Sequence, residues 1–134
     1  MADLLFVYGT LRRNAREGIH ERYLKGAEFV ADATTRGRLF LLTWYPALIM
    51  DESTQDVVKG EIYRLPSFET TIKRVDAFEG FDPTRPDDGE YIRSLATVTL
   101  SDGSTQSAWM YVFRHDISEA SLIPSGDFLD VLPQ

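Results

Sequence analysis

The chain has 134 residues, no cysteine and a formal net charge of -7. That length suits one domain with a sizeable core, and 43% apolar with 12% aromatic residues reads as globular rather than disordered. Lack of cysteine excludes disulfides, thiolate zinc sites and a cysteine nucleophile, and 14 basic residues scattered among 21 acidic ones give no footprint for a nucleic-acid partner.

The amino terminus, Met-Ala-Asp, lacks a basic n-region, and the apolar run after it is too short for a signal peptide or a membrane span. The expectation is a soluble cytoplasmic protein without a membrane partner. No repeat, linker or shift in composition divides the chain, so residues 1–134 read as a single domain.

Residues 4–8 read as a buried strand. Ile19, Tyr23 and Leu24 at helical spacing, followed by Gly26, predict a short helix with a glycine stop. Residues 28–33, 36–42 and 57–64 alternate or run apolar and predict strands. Trp44-Tyr45-Pro46 between them reads as a rigid aromatic loop. A helix then starts at Ser67, which can cap it, with Glu69 complementing its amino-terminal dipole. Phe68, Ile72 and Val75 form its apolar stripe, and Gly80 ends it. Residues 91–100 and 105–114 predict a hairpin around Ser101-Asp102-Gly103-Ser104. The turn-rich tail, Ile123 to Phe128, reads as a short closing segment. The sum is an α+β domain, a small and mostly antiparallel β-barrel or curled sheet with short flanking helices.

Two short stretches carry chemistry. The first strand stops abruptly at Tyr8-Gly9-Thr10-Leu11. That is either a tight turn or a cradle, in which Gly9 lets the backbone approach a ligand while N–H groups and the Thr10 hydroxyl hold a carboxylate or phosphate. Arg12 and Arg13 either add charge there or are solvated. The second stretch ends the helix. At about 100° per residue, the next position on the stripe of Phe68, Ile72 and Val75 is Glu79, with Asp76 toward the stripe's edge. Either the helix has frayed and Glu79 is in solvent, or a carboxylate stands at a pocket wall. In the pocket, desolvation would raise its pKa and suit it to act as a general base.

Other chemistry finds less support. His20 and His115 lack the spacing of a metal pair, Asp51-Glu52 and Asp87-Asp88 lack the pattern of a calcium loop, and no phosphate loop or dinucleotide fingerprint occurs. Glu79 and Glu90 in principle suit a glycosidase, but nothing in the chain suggests a long sugar-binding cleft.

Six segments in order resemble the γ-glutamylcyclotransferase-like superfamily. Phe6-Val7-Tyr8-Gly9-Thr10-Leu11-Arg12 is similar to its first-strand substrate loop. Tyr45-Pro46-Ala47 resembles its aromatic-proline segment, and Val58-Lys59-Gly60-Glu61-Ile62-Tyr63 its "V-x-G-E-(V/I)-Y" strand. Val75-Asp76-Ala77-Phe78-Glu79-Gly80 looks like its "D-x-(F/L)-E-G" helix end. Glu90-Tyr91-Ile92-Arg93 and Ala108-Trp109-Met110-Tyr111-Val112 resemble two later strands. The matches run from residue 6 to about 113.

The resemblance implies a small barrel around one cavity and a cofactor-free, metal-free enzyme of the acyltransferase or lyase kind. The α-amino group of a γ-glutamyl compound would attack its own γ-carbonyl, releasing 5-oxoproline and an amine or amino acid. Glu79 would be the acid/base, with Glu90 a second candidate. Tyr8, Gly9, Thr10 and Leu11 would bind substrate, with Tyr91, Tyr111 and Arg93 as further contacts. For the tyrosines a satisfied core position is the alternative, and Arg93 either is structural or pairs with a carboxylate. The sequence departs from the family's simplest pattern at Phe81 to Glu90, an acidic, proline-rich loop that either covers the pocket or is a solvated insertion. The competing class is a binding module that holds an amino-acid derivative or small anion without turnover.

Overall fold

The computed structural model describes residues 3–42 and 45–131. Seven strands form one sheet. They are β1 (Leu4–Val7), β2 (Glu28–Leu42), β3 (Tyr45–Met50), β4 (Val57–Arg64), β5 (Tyr91–Leu100), β6 (Thr105–Phe113) and β7 (Ser121–Leu122). Helix α1 (Ile19–Tyr23) follows β1, α2 (Phe68–Glu79) follows β4, and a 3-10 turn at Phe128–Val131 ends the described chain.

Five strands close into a barrel in the order β2-β4-β1-β6-β5, and Ala33 and Thr34 of β2 pair with Leu100 and Thr99 of β5 to complete the ring. All pairings are antiparallel except β1 with β6. Closure leaves these strands no free edge. It also explains why β1 is apolar at every position. Leu4, Phe6 and Tyr8 join one buried cluster, with Val58, Ile62, Val98 and Met110. Leu5 and Val7 face a second, with Leu24, Ile72, Val75 and Phe113 under the helices. A strand buried on both faces reads as a continuous apolar run.

The two predicted strands at 28–33 and 36–42 are one, β2. The polar Thr34-Thr35 pair, which reads as a break, is where β2 changes partners. Thr35 is buried, and its hydroxyl donates to the Thr97 carbonyl at 3.0 Å. Beyond it, Gly37 to Leu42 pair with β3. The predicted loop at 44–46 is corrected. Trp44 lies outside the described residues, but Tyr45 and Pro46 open β3. Proline is tolerated there because β3 stands at the end of the strand order and pairs with β2 alone.

Helix α2 follows the predicted stripe. Ile72 and Val75 are buried, each worth about 1.5–3 kcal/mol against exposure. Ser67 holds the N-cap position, but its side chain makes no capping hydrogen bond. Gly80 ends the helix at φ 72°, a conformation that disfavours a Cβ. The predicted hairpin forms with a loop at 101–104, where the Leu100 N–H donates to the Ser104 carbonyl at 2.8 Å. The tail closes one side of the barrel through buried Ile123 and Phe128.

Candidate active site

A cavity of about 230 Å³ opens where four elements converge. The end of β1 and the loop after it supply Phe6 to Leu11. The start of β3 supplies Tyr45 and Pro46, and the last turn of α2 supplies Phe78 and Glu79. Glu90, Tyr91 and Tyr111 complete the wall.

Glu79 is half-buried, its surface reached through the cavity. Neither a hydrogen bond nor an ion pair to its carboxyl is found among the described residues. Burial first, and the neighbouring Asp76 charge second, push its pKa from 4.5 up to about 8. The helix therefore continues far enough to turn Glu79 onto a pocket wall, and Gly80 stops it immediately afterwards.

Asp76, one turn earlier, is treated differently. It is buried rather than at the edge of the stripe. Its Oδ1 accepts from the Tyr111 hydroxyl at 2.6 Å and from Arg93 Nε at 2.9 Å, and Arg93 also reaches Oδ2 at 3.3 Å. Arg93 is thus absent from the cavity wall. It lies between Asp76 and the rings of Phe81 and Trp109, 5.6 and 5.0 Å from their centroids. Arg93 thus has a structural partner, a carboxylate of the protein itself.

Tyr8, Tyr91 and Tyr111 line the wall with their hydroxyls engaged. Tyr8 donates to the Tyr111 carbonyl, Tyr91 to the Pro46 carbonyl, and Tyr111 to Asp76. Burial, more than any neighbouring charge, pushes all three well above the ordinary phenol value. They are neutral donors that fix the wall.

The loop after β1 is held from behind. Arg12 is buried rather than solvated. Its Nε donates to Glu61 Oε2 at 2.8 Å and its Nη1 to Asp127 Oδ1 at 2.8 Å. Glu61 Oε1 accepts from the Arg13 N–H at 3.1 Å and from the Tyr63 hydroxyl at 2.8 Å. Arg13 is exposed and stacks over Phe29. Among the described residues no acceptor is found for the N–H groups of Gly9, Thr10 and Leu11, or for the Thr10 hydroxyl. Glycine at position 9 also has a packing reason of its own. A Cβ there would stand 2.4 Å from Pro46 Cγ, so glycine lets the loop pack on β3.

The acidic loop is exposed from Asp82 to Asp88, yet its last residue, Glu90, lines the cavity mouth and accepts a hydrogen bond from Tyr45 at 3.1 Å. The bracing residues Asp76, Glu61 and Asp127 were not legible as such. The spacing of Asp76 from Glu79, one helical turn, was the available signal for the first.

A closed five-stranded barrel with two short helices and, among the described residues, one carboxylate without a partner on the cavity wall defines the class. Residues 5–130 match the family described as "Gamma-glutamyl cyclotransferase, AIG2-like", and the chain belongs to that family. The gamma-glutamylcyclotransferase family protein YtfP of Escherichia coli K12 is 32% identical over 127 residues, which cover 94% of this chain and 96% of YtfP. The solution structure of E. coli ytfP superposes with a TM-score of 0.64 at 31% identity, covering 95% of this chain and 96% of that one. The crystal structure of YkqA from Bacillus subtilis gives a TM-score of 0.71 at 26% identity. It is matched over 96% of this chain, which spans 40% of the YkqA chain. Among the described residues no helix is long and apolar enough to cross a membrane.

Proposed function

We propose that the chain is a γ-glutamylcyclotransferase that closes a γ-glutamyl amine or γ-glutamyl peptide on itself, with Glu79 as the acid/base. The observation that carries the reading is a Glu79 carboxyl that shares the cavity wall with the loop at Gly9 to Leu11, neither the carboxyl nor the loop's N–H groups having a hydrogen-bond partner among the described residues. The family and the names of its relatives support the same reaction.

The chemistry asks little of the protein. The attacking amine and the carbonyl belong to one molecule, so the enzyme has only to fold it. Glu79 as carboxylate takes a proton from the α-ammonium. The freed amine attacks the γ-carbonyl carbon and the new carbon–nitrogen bond closes a five-membered ring. Glu79 then returns that proton to the departing nitrogen as the amide bond breaks, and the second proton that the ring nitrogen must shed follows by way of the same carboxylate, so that the amine leaves as an ammonium. Products are 5-oxoproline and the amine, and no water is consumed. A proton affinity near neutrality suits a group that must both take and give. The substrate ammonium beside it favours the ionised form. The loop N–H groups and the Thr10 hydroxyl hold the glutamyl carboxylate or the carbonyl oxygen, and Tyr8, Tyr91 and Tyr111 shape the wall.

The test is 5-oxoproline release from γ-glutamyl amines and γ-glutamyl dipeptides. Glu79→Gln keeps the size of the side chain but not its proton chemistry, and should cost about 100- to 10,000-fold in rate while leaving binding measurable. Full activity in Glu79→Gln beside a dead Glu90→Gln moves the role to Glu90. If the wild type binds these compounds without releasing 5-oxoproline, the site is that of a binding module.

A further inference from the structure

The cavity carries two carboxylates, Glu79 on the wall and Glu90 at the mouth, and no lysine, arginine or histidine lines it among the described residues. The arginines nearby are used elsewhere. Arg12 is held by Glu61 and Asp127, and Arg93 by Asp76. If the α-ammonium of a γ-glutamyl group takes Glu79, then Glu90 is left facing whatever is attached to the γ-carbonyl.

Glu90 is placed there rather than merely exposed. Arg114 Nη1 donates to the Asp87 and Gly89 carbonyls at 2.6 and 3.1 Å, and the Arg114 N–H donates to the Glu90 carbonyl at 3.0 Å. These bonds tie the end of the acidic loop to the end of β6. Tyr45, at the start of β3, donates to Glu90 Oε2. Oε1 has no partner among the described residues, and no ion pair neutralises the carboxyl. Arg114 does reach a carboxylate, but it is Asp87, at 3.6 Å.

We infer that Glu90 is a specificity-determining residue, selecting γ-glutamyl compounds whose leaving group carries a positive charge and disfavouring those that end in a free carboxylate. The inference rests on the cyclotransferase reading of the cavity. A carboxylate leaving group would meet a like charge at the mouth, with no cation on the cavity wall to offset it. An ammonium would meet the Glu90 carboxylate instead.

The experiment uses three γ-glutamyl amides of matched length, made from 1,4-diaminobutane, n-pentylamine and 5-aminopentanoate. They present an ammonium, a methyl group and a carboxylate at the same place. Affinity is read by calorimetry on Glu79→Gln, where turnover is removed, and kcat/KM is read on the otherwise wild-type protein. The ammonium compound should be favoured about 3-fold over the neutral one and about 10-fold over the carboxylate at low salt, the scale of a partly solvated charge contact. Adding Glu90→Gln in either background should bring all three within about 2-fold. Equal or tighter binding of the carboxylate compound overturns the inference, as does an order that survives Glu90→Gln or a failure of all three to bind. Loss of turnover for all three alike in Glu90→Gln also overturns it, since that is the behaviour of an acid/base. If the binding order holds and collapses as expected while none of the three releases 5-oxoproline, charge selection at the mouth stands and the cyclotransferase reading falls.

Discussion

Two glutamates flank the loop from Tyr8 to Arg13, Glu61 buried and Glu79 half-buried at the cavity wall, and they are treated in opposite ways. Behind the loop, Glu61 is 2% exposed and its oxygens are filled by Arg12, the Arg13 N–H and Tyr63. Across the cavity, Glu79 has none of this, and burial raises its pKa to about 8. Asp76 sharpens the contrast, because it lies one turn from Glu79 on the same helix and is clasped by Arg93 and Tyr111. Donors surround the acids that hold the structure. The acid left without them is the one that faces a cavity large enough for a small molecule. A carboxylate that keeps its proton to neutral pH is poor mortar and a good proton carrier.

The largest way to break this comparison is to empty the structural side. Glu61→Ala leaves the buried Arg12 with Asp127 as its remaining carboxylate, and breaking a buried pair from one side costs up to about 3–5 kcal/mol. Urea denaturation should show a loss of that order. A change below about 1 kcal/mol would mean that the network does not hold the loop.

The same operation on the other glutamate should act in the opposite direction. Between pH 4.5 and about 8 the unfolded chain releases the Glu79 proton while the folded chain keeps it. Stability therefore falls as pH rises through that window, by at most about 1.4 kcal/mol per pH unit. Solvent reaching the carboxyl through the cavity reduces the total. We expect Glu79→Gln to be about 1–3 kcal/mol more stable than wild type at pH 8.5 and equal to it at pH 4. Glu79→Gln that is less stable than wild type at pH 8.5 would remove the premise of an unpartnered buried acid.

Asp76→Asn tests the charge between the two acids. It removes the second cause of the Glu79 shift and leaves Arg93 without its carboxylate. Both changes favour an ionised Glu79, so the acidic limb of the pH–rate profile should move to lower pH even as the protein loses stability. An unmoved limb would show that the limb does not report Glu79. The smallest effect belongs to Thr10→Val. Loss of one neutral hydrogen bond is worth about 1 kcal/mol, so KM should rise about 5-fold with kcat unchanged. A fall in kcat alone would move Thr10 from substrate binding to the reacting atoms.

Much of this was legible in the chain. Glu79 falls on the stripe of Phe68, Ile72 and Val75 because helical periodicity is local, and Gly80 stops the helix where a left-handed residue must. β1 announced its burial through Leu4 to Val7. The partners were harder to read. Arg12 reads as solvated because its acceptors lie 49 and 115 residues away. Arg93 likewise meets Asp76 across the gap between β5 and α2. Such pairings are set by barrel closure, which no local pattern encodes. β3 was hidden by Pro46, whose tolerance depends on the strand's place at an edge of the sheet. Gly9 was legible as a special position, but its contact with the Pro46 ring was not.

The central claim is that Glu79 holds its proton near neutral pH because no donor among the described residues satisfies its carboxylate. Labelling glutamate side chains with carbon-13 and following the Glu79 Cδ resonance with pH reads this directly, with Glu79→Gln to assign the signal. The account predicts a midpoint near 8, where Glu79 is placed by burial and Asp76. A midpoint near 4.5 in the folded protein would contradict it, because Glu79 would then be an ordinary solvated carboxylate.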